Sequence, residues 1–305
     1  MVATPIGNRA DITLRAVHVL HLADAVACED TRNSGQWLHS MGLHKPLLAV
    51  HEHNEREASE RVIERLQQGQ RVAYISDAGT PAISDPGAAL VQAVQAAGLR
   101  CIPIPGCSSA LAALSVAGDA NAQGFHFTGF LPAKGRLRSS ALAALARSPH
   151  CTVLFESPHR ITALADELAQ HLGPRLLTVG RELTKQFEAV HTLPALELAA
   201  WLMGDPHRVR GEFVIVVHSS SPGGEGARDD QGAADRLSEA SMHTLRVLLA
   251  ELPLKQAATL ASQITGEPRK RLYQAALELQ EQEGQALNAD TPGASGTPDT
   301  PDTHD

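Results

Sequence analysis

The chain has 305 residues and a formal net charge of −8, a length beyond one small core and a charge that argues mildly against a general nucleic-acid binder. No run of about twenty apolar residues is present to span a membrane, and the first residues lack the basic-then-apolar layout of a signal peptide, which places the protein in the cytoplasm. The four cysteines (Cys28, Cys101, Cys107, Cys151) lie far apart without a Cys-x-x-Cys pair and read as reduced apolar packing residues.

Residues 1–8 read as the end of a strand entering a tight turn. Only about two strand residues are present where about five or six are usual, so the chain reads as starting late. Residues 12–22 have a helical period with Asp11 in the N-cap position. Residues 25–28 form a buried strand that delivers Glu29, Asp30, Thr31 and Arg32 at its C-terminal end, where Thr31 or Asn33 is placed to cap a helix through Leu38. A further strand, 47–50, ends in His51-Glu52-His53, a weak metal signal at that spacing, and a charged helix follows over 55–68.

Residues 71–75 are a buried strand leading into Ser76-Asp77-Ala78-Gly79-Thr80-Pro81-Ala82-Ile83-Ser84-Asp85-Pro86-Gly87. Small residues there let backbone approach a ligand, and a carboxylate at a strand's C-terminal edge can take a hydroxyl or amino group. The second half reads equally well as a strand-to-helix loop, with Ser84 or Asp85 as N-cap and Pro86 in the first turn. Asp77 to Thr80 is not explained that way and reads as a ligand loop. A helix begins at Ala88, residues 99–104 read as a strand ending in Pro105-Gly106-Cys107-Ser108-Ser109, and the small apolar run 110–117 suits a helix packed closely on a sheet. Alternating strands and helices with short links predict a parallel, doubly wound first domain over 1–120, with ligands at the C-terminal strand ends.

A second α/β domain over 121–218 is expected, with a mixed sheet. Its strand candidates are 125–130, 152–155, 176–179, 187–192 and 212–217; the first and fourth alternate as antiparallel strands do. Helices fit at 137–146, 158–172 and 195–203. Residues 219–236 read as a flexible linker. Residues 237–283 read as a helical unit resembling a helix-turn-helix, with Pro268 opening its last helix. Residues 284–305 read as a disordered acidic tail.

There is no Gly-x-Gly-x-x-Gly after the first strand, no P-loop, no Gly-x-Ser-x-Gly elbow and no zinc-ligand spacing, so no metal is expected. The motifs present instead resemble the tetrapyrrole methylase superfamily: Ala3-Thr4-Pro5-Ile6-Gly7-Asn8, Glu29-Asp30-Thr31-Arg32, Ser76-Asp77-Ala78-Gly79-Thr80-Pro81 and Pro105-Gly106. Gly129-Phe130-Leu131-Pro132-Ala133-Lys134, Phe155-Glu156-Ser157-Pro158-His159-Arg160 and Arg181-Glu182-Leu183-Thr184-Lys185 continue it. More narrowly they resemble its bacterial small-subunit rRNA 2′-O-methyltransferases, from Val2 to about Val217 and again at Glu251-Leu252-Pro253-Leu254-Lys255.

The resemblance implies two α/β domains with S-adenosylmethionine in the cleft between them. Its contacts would be Pro5, Ile6, Asp77, Ala78, Gly79, Thr80, Ile83, Ser108, Ser109 and, from the second domain, Leu131. The implied substrate is a cytidine ribose in the 16S rRNA of the 30S subunit's decoding centre, and the implied assembly is a homodimer. A protonated ribose hydroxyl is a poor nucleophile. Glu29 and Asp30 are therefore candidates for the base, against the plain alternative that one caps the next helix and the other pairs with Arg32. Arg32, Lys134, Arg136, Arg138, Arg269, Lys270 and Arg271 are candidates for RNA phosphates, the alternative being a solvated face. The competing functions are a small-molecule porphyrinoid methylase and a non-catalytic RNA-binding or assembly factor. An appended helix-turn-helix favours RNA.

Overall fold

In the computed structural model, which describes residues 1–51, 54–220, 237 and 239–289, the first half alternates helix and strand. In chain order these are α1 (Leu14–Leu22), β1 (Ala25–Cys28), α2 (Thr31–Ser40), β2 (Leu47–Ala49), α3 (Glu55–Gln67), β3 (Val72–Ile75), α4 (Ala88–Ala96) and α5 (Ser109–Ala117). The strands pair in parallel in the order β2-β1-β3. Successive strand residues face opposite sides, and both sides are covered. Val26, Cys28, Ala73 and Ile75 join Leu20 and Leu38 in one core, while Ala27 and Tyr74 join Val62, Leu90 and Val94 in another. That is why these strands are apolar throughout.

The strand expected over 99–104 is reduced to a single bridge, Ile104 beside Val2. Pro103 and Pro105 flank Ile104 and have no N–H to extend a ladder. Val2 N in turn donates to Tyr74 O at 2.8 Å, which sets the N-terminal residues beside β3. α1 starts later than its period suggested, because residues 9–11 close into a 3₁₀ turn capped by Asn8 and Thr13 then caps the helix.

The second half comprises β4 (Phe125–Phe130), α6 (Gly135–Arg147), β5 (Cys151–Glu156), α7 (Ile161–Leu172), β6 (Leu176–Arg181), β7 (Ala189–Pro194), α8 (Leu198–Met203) and β8 (Phe213–Val217). They build a mixed sheet in the order β4-β5-β8-β6-β7. β4 runs parallel to β5, against the antiparallel expectation; its alternation reflects an edge strand largely exposed to solvent, not its pairing direction. β7 is antiparallel to β6, as expected.

One face of this sheet packs on α7 through Ile161, Leu164 and Leu168. The other is covered by α5, whose Ala110, Ala113 and Ala117 meet Val153, Val214 and Val216. The run of small residues lets α5 approach closely, and Thr178 Oγ1 reaches Ala117 O at 3.3 Å. A helix from the first half thus completes the second half's core. Met1–Ser221 is accordingly one compact unit holding two sheets.

The second unit contains α9 (Glu239–Glu251), α10 (Leu254–Thr265) and α11 (Arg269–Ala289) around Leu245, Ala258, Ala261, Leu272 and Ala276. Gly266, in the left-handed region at φ 74°, ends α10, and Pro268 precedes α11. α11 continues past residue 284, where the tail was expected to begin. Residues 221–236 of the expected linker and 290–305 of the tail lie outside the described residues, as do Glu52 and His53. No helix among the described residues is long and apolar enough to cross a membrane.

Candidate active site

The loop after β3 is built to present backbone. Gly79 sits at φ 79° and pairs with Thr4 through two backbone hydrogen bonds of 2.9 and 3.1 Å. A Cβ at Gly79 would stand 3.3 Å from Ile6 Cγ2, so only glycine gives this close crossing without strain. Ser76 Oγ donates to Ala78 O at 3.3 Å and Thr80 Oγ1 to Cys107 O at 2.9 Å, which ties this loop to the one ahead of α5. Ala82 and Ser84 are held at φ 67° and 61°. Such conformations cost about 1–3 kcal/mol each and persist where the surroundings over-determine them, commonly at functional sites.

The cap of α4 is neither Ser84 nor Asp85. Glu55 of α3 reaches across, its Oε1 accepting from Gly87 N at 3.0 Å and Leu90 N at 3.2 Å. Asp85 is thereby relieved of that role, and its carboxyl lines a cavity of about 340 Å³ between the two sheets' strand ends. With Asp85 on that wall are Ile6, Ala78, Gly79, Thr80, Ile83, Ser108 and Ser109. The facing wall comes from the ends of β4, β5 and β8, with Phe130, Phe155, Glu156, Pro158 and Phe213 prominent, together with Leu183 and Glu212. Phe130 and Phe155 meet edge to face at 5.7 Å. Gly129, at φ 66°, lies so near the opposite wall that a Cβ there would stand 2.7 Å from Ser84 Oγ.

The walls differ electrostatically. Burial, then the charge of Glu29, then that of Asp77 push the Asp85 carboxyl up to about 6, against a hydrogen bond from Ser76. Glu29 is also raised, by burial and Asp77, with His51 opposing. Asp30 moves the other way because its Oδ1 accepts from Arg32 N at 2.7 Å and Asn33 N at 3.4 Å, making it the N-cap of α2. The expected caps, Thr31 and Asn33, are inside the helix. Asp30 is thus committed to the helix end, and of the two sequence candidates for a base only Glu29 keeps an elevated carboxyl.

Of the cofactor candidates, Ile6, Ala78, Gly79, Thr80, Ile83, Ser108 and Ser109 share the cavity. Pro5 and Asp77 adjoin it in sequence without lining it. Leu131 is core, 2% exposed, and its carbonyl is taken by Arg160 Nη2 at 2.7 Å. Among the basic candidates, Arg32, Lys134, Arg136, Arg269 and Lys270 are exposed. Arg138 is not: its guanidinium is buried on Glu167 and on Pro132 O, so it serves structure rather than a phosphate. Arg271 pairs with Glu267 at 3.6 Å. Sequence reasoning gave no role to Asp85 beyond a cap, or to Phe130, Glu156 and Glu212. Phe130 and Glu156 stood in the motifs and Glu212 opened a strand candidate, but only the fold brings β4, β5 and β8 to one edge.

A second cavity of about 340 Å³, lined by apolar residues such as Val19, Leu22, Val62 and Leu66, lies toward the start of β3. It lies away from the C-terminal strand ends that mark a ligand site in a parallel sheet. Among the described residues no group of three or more His, Cys, Asp or Glu is arranged to hold a metal ion.

Residues 1–199 match the family model of the tetrapyrrole (corrin/porphyrin) methylases, and residues 235–280 match that of the RsmI C-terminal HTH domain. Ribosomal RNA small subunit methyltransferase I of Escherichia coli O157:H7 is 43% identical over 92% of this chain and 94% of its own. The protein of that name from Pseudomonas aeruginosa is 46% identical over 92% of this chain and 96% of its own. Among solved structures, uroporphyrin-III-C-methyltransferase from Thermus thermophilus superposes with a TM-score of 0.52 at 22% identity, covering 71% of this chain and 92% of that one. A cobalamin biosynthetic enzyme, cobalt precorrin-4 methyltransferase, gives 0.55 at 18%, covering 71% and 92%. At such identities the structural likeness speaks for the fold alone.

Proposed function

We propose that this chain, which belongs to the tetrapyrrole methylase family and is an S-adenosylmethionine-dependent methyltransferase, methylates the ribose 2′-oxygen of a cytidine in the 16S rRNA of the small ribosomal subunit. The observation that carries the RNA reading is the second match. The C-terminal helical unit fits the RsmI-type domain, whereas the porphyrinoid methylases above cover only 71% of the chain. The relatives that do span it are named for ribosomal RNA.

The residues present fit the cofactor. A cavity of about 340 Å³ is within the range of small-molecule sites, roughly 300–1,000 Å³. Gly79 allows close backbone approach, Ile6 and Ile83 offer apolar surface, and Thr80, Ser108 and Ser109 offer polar contacts. The carboxylates of Asp77 and Asp85 suit a cationic ligand. When bound, S-adenosylmethionine supplies an electrophilic methyl group. The chain's own part is positioning and proton handling. Asp85, a carboxylate above pH about 6, takes the proton of the ribose hydroxyl as the new bond forms, and Glu29 keeps its basicity up. Arg32, Lys134, Arg136, Arg269 and Lys270 meet phosphates and fix register.

The test is methyl transfer from labelled S-adenosylmethionine to 30S subunits, followed by nuclease mapping. Label on a cytidine ribose is expected. Label on a base, on another nucleoside, or only on an anionic porphyrinoid offered in parallel would overturn the reading.

A further inference from the structure

Glu156 lines the cavity, and its two oxygens live differently. Its Oε1 accepts from Ser157 N at 2.8 Å and lies 3.3 Å from Arg160 Nε. Arg160 is itself anchored on Leu131 O, so this half of the group is locked. Oε2, on a side chain of 0% exposure, has no hydrogen-bond partner. Buried acceptors are almost always satisfied, and one left without a partner in a residue that lines a cavity marks a place for a donor brought by a ligand. The surroundings narrow the donor's class. Phe130, half exposed, and Phe155 stand beside Glu156 on that wall with Pro158, the flat apolar surface on which a nucleobase stacks.

We propose that Glu156 is the base-reading residue, its Oε2 accepting the exocyclic amino N–H of the target cytosine while the ring packs against Phe130. Cytosine presents an N4 amino donor that a glutamate accepts, whereas uracil turns a carbonyl oxygen toward the same carboxylate. The wall formed by Glu156 therefore selects cytidine over uridine, while the opposite wall handles the 2′-hydroxyl. This inference rests on the rRNA ribose reading. The same amino chemistry exists on the cofactor's adenine, and the experiment separates the two.

Two sets of 30S subunits are reconstituted with 16S transcripts carrying cytidine or uridine at the position the wild type labels. Methyl incorporation is measured with wild type and with Glu156→Gln, and S-adenosylmethionine affinity is measured by calorimetry. We expect the wild type to favour cytidine by about 10- to 100-fold, the discrimination of one good base contact. We expect Glu156→Gln, whose amide both donates and accepts, to fall to within about threefold with cofactor affinity unchanged. An unchanged preference overturns the proposal, as does a loss of cofactor affinity with the preference intact, which would assign Oε2 to adenine. If Glu156→Gln does not fold, Glu156→Asp keeps the charge and retracts it by one methylene; its preference should fall partway, and full retention counts equally against us. A wild type that labels neither set defeats the underlying rRNA reading, and the proposal with it.

Discussion

The two walls of the cavity treat charge in opposite ways. On the side of the first sheet, burial and the charges of Glu29 and Asp77 raise Asp85, burial and Asp77 raise Glu29, and Asp85 is stabilised by a hydroxyl rather than a cation. On the wall from the second sheet each carboxylate is held by a base: Glu156 by Arg160, and Glu212 by Lys185 at 2.8 Å. Behind it, Arg138 and Glu167 are joined by a two-pronged contact. Like charges crowded in a half-buried place keep a carboxyl able to exchange a proton near neutral pH, while paired charges fix geometry. One wall is arranged for chemistry and the other for shape.

The largest effect should come from disarming the first wall. Asp85→Asn should lower single-turnover methyl transfer at saturating cofactor by about 10²- to 10⁴-fold, the usual worth of a general base. The wild-type rate should rise as pH increases through about 6, and the variant should lose that inflection. Glu29→Gln should move the inflection to lower pH by removing a like charge. Stability should move the other way. A carboxyl raised from 3.8 to about 6 by folding contributes stability at low pH that is lost as pH climbs through that interval. At pH 7 Asp85→Asn should therefore be more stable, by about 1 kcal/mol once the solvent screening of a half-buried carboxyl is allowed for. A variant that is slower and less stable, without a change in pH profile, would make Asp85 a packing residue.

Next is the pairing of the second wall. Arg138 is buried with its guanidinium on Glu167 and on Pro132 O at 2.9 Å. Removing one member of such a pair leaves an uncompensated charge and costs about 3 kcal/mol. Arg138→Gln should lower the melting temperature by roughly 5–10 °C while leaving the salt dependence of RNA binding unchanged. A stable variant with a weakened salt slope would return Arg138 to the RNA-facing set.

The fold class, the strand-end loops and most cavity residues were legible because each is locally encoded. β1 and β3 are apolar throughout, and the Asp77–Thr80 stretch holds more turn chemistry than a turn needs. What was not legible depends on partners far away in sequence. Asp85 reads as a cap until Glu55, thirty residues earlier, is seen taking the two N–H groups. Arg138 reads as one of a basic trio until α7 supplies Glu167. The strand over 99–104 reads correctly as apolar, but its prolines limit it to one bridge. Glu156 sits inside a quoted motif, yet its significance lies in an oxygen with no partner, which only the assembled wall displays.

The contact between the walls can be broken at Gly129. An alanine there is forced to φ 66°, with its methyl 2.7 Å from Ser84 Oγ. The left-handed backbone and the collision together should cost about 2 kcal/mol and weaken cofactor binding, since the walls must part. Ser84→Gly in the same chain removes the hydroxyl and relieves the strain at Ser84 itself. The double variant should therefore recover part of the loss, giving a coupling of at least about 0.5 kcal/mol. Strictly additive effects would mean that the walls do not touch there in solution.

The smallest effect belongs to Lys134 and Arg136, exposed beyond the second wall at the start of α6. They share a short segment with Arg138, so a reading based on charge alone groups all three. Only Arg138 has a carboxylate to satisfy it. If the other two meet rRNA phosphates, Lys134→Gln and Arg136→Gln should each reduce the slope of log affinity against log salt by about one, or slightly less for a single-stranded contact. Each should weaken binding at low salt and leave thermal stability and cytidine preference untouched. The contrast with Arg138→Gln is the sharpest part of the test, because three neighbouring cations then sort by burial alone. If the Lys134 and Arg136 variants keep the full salt slope, that segment is a solvated face, and the basic residues opening α11 become the phosphate contacts to examine.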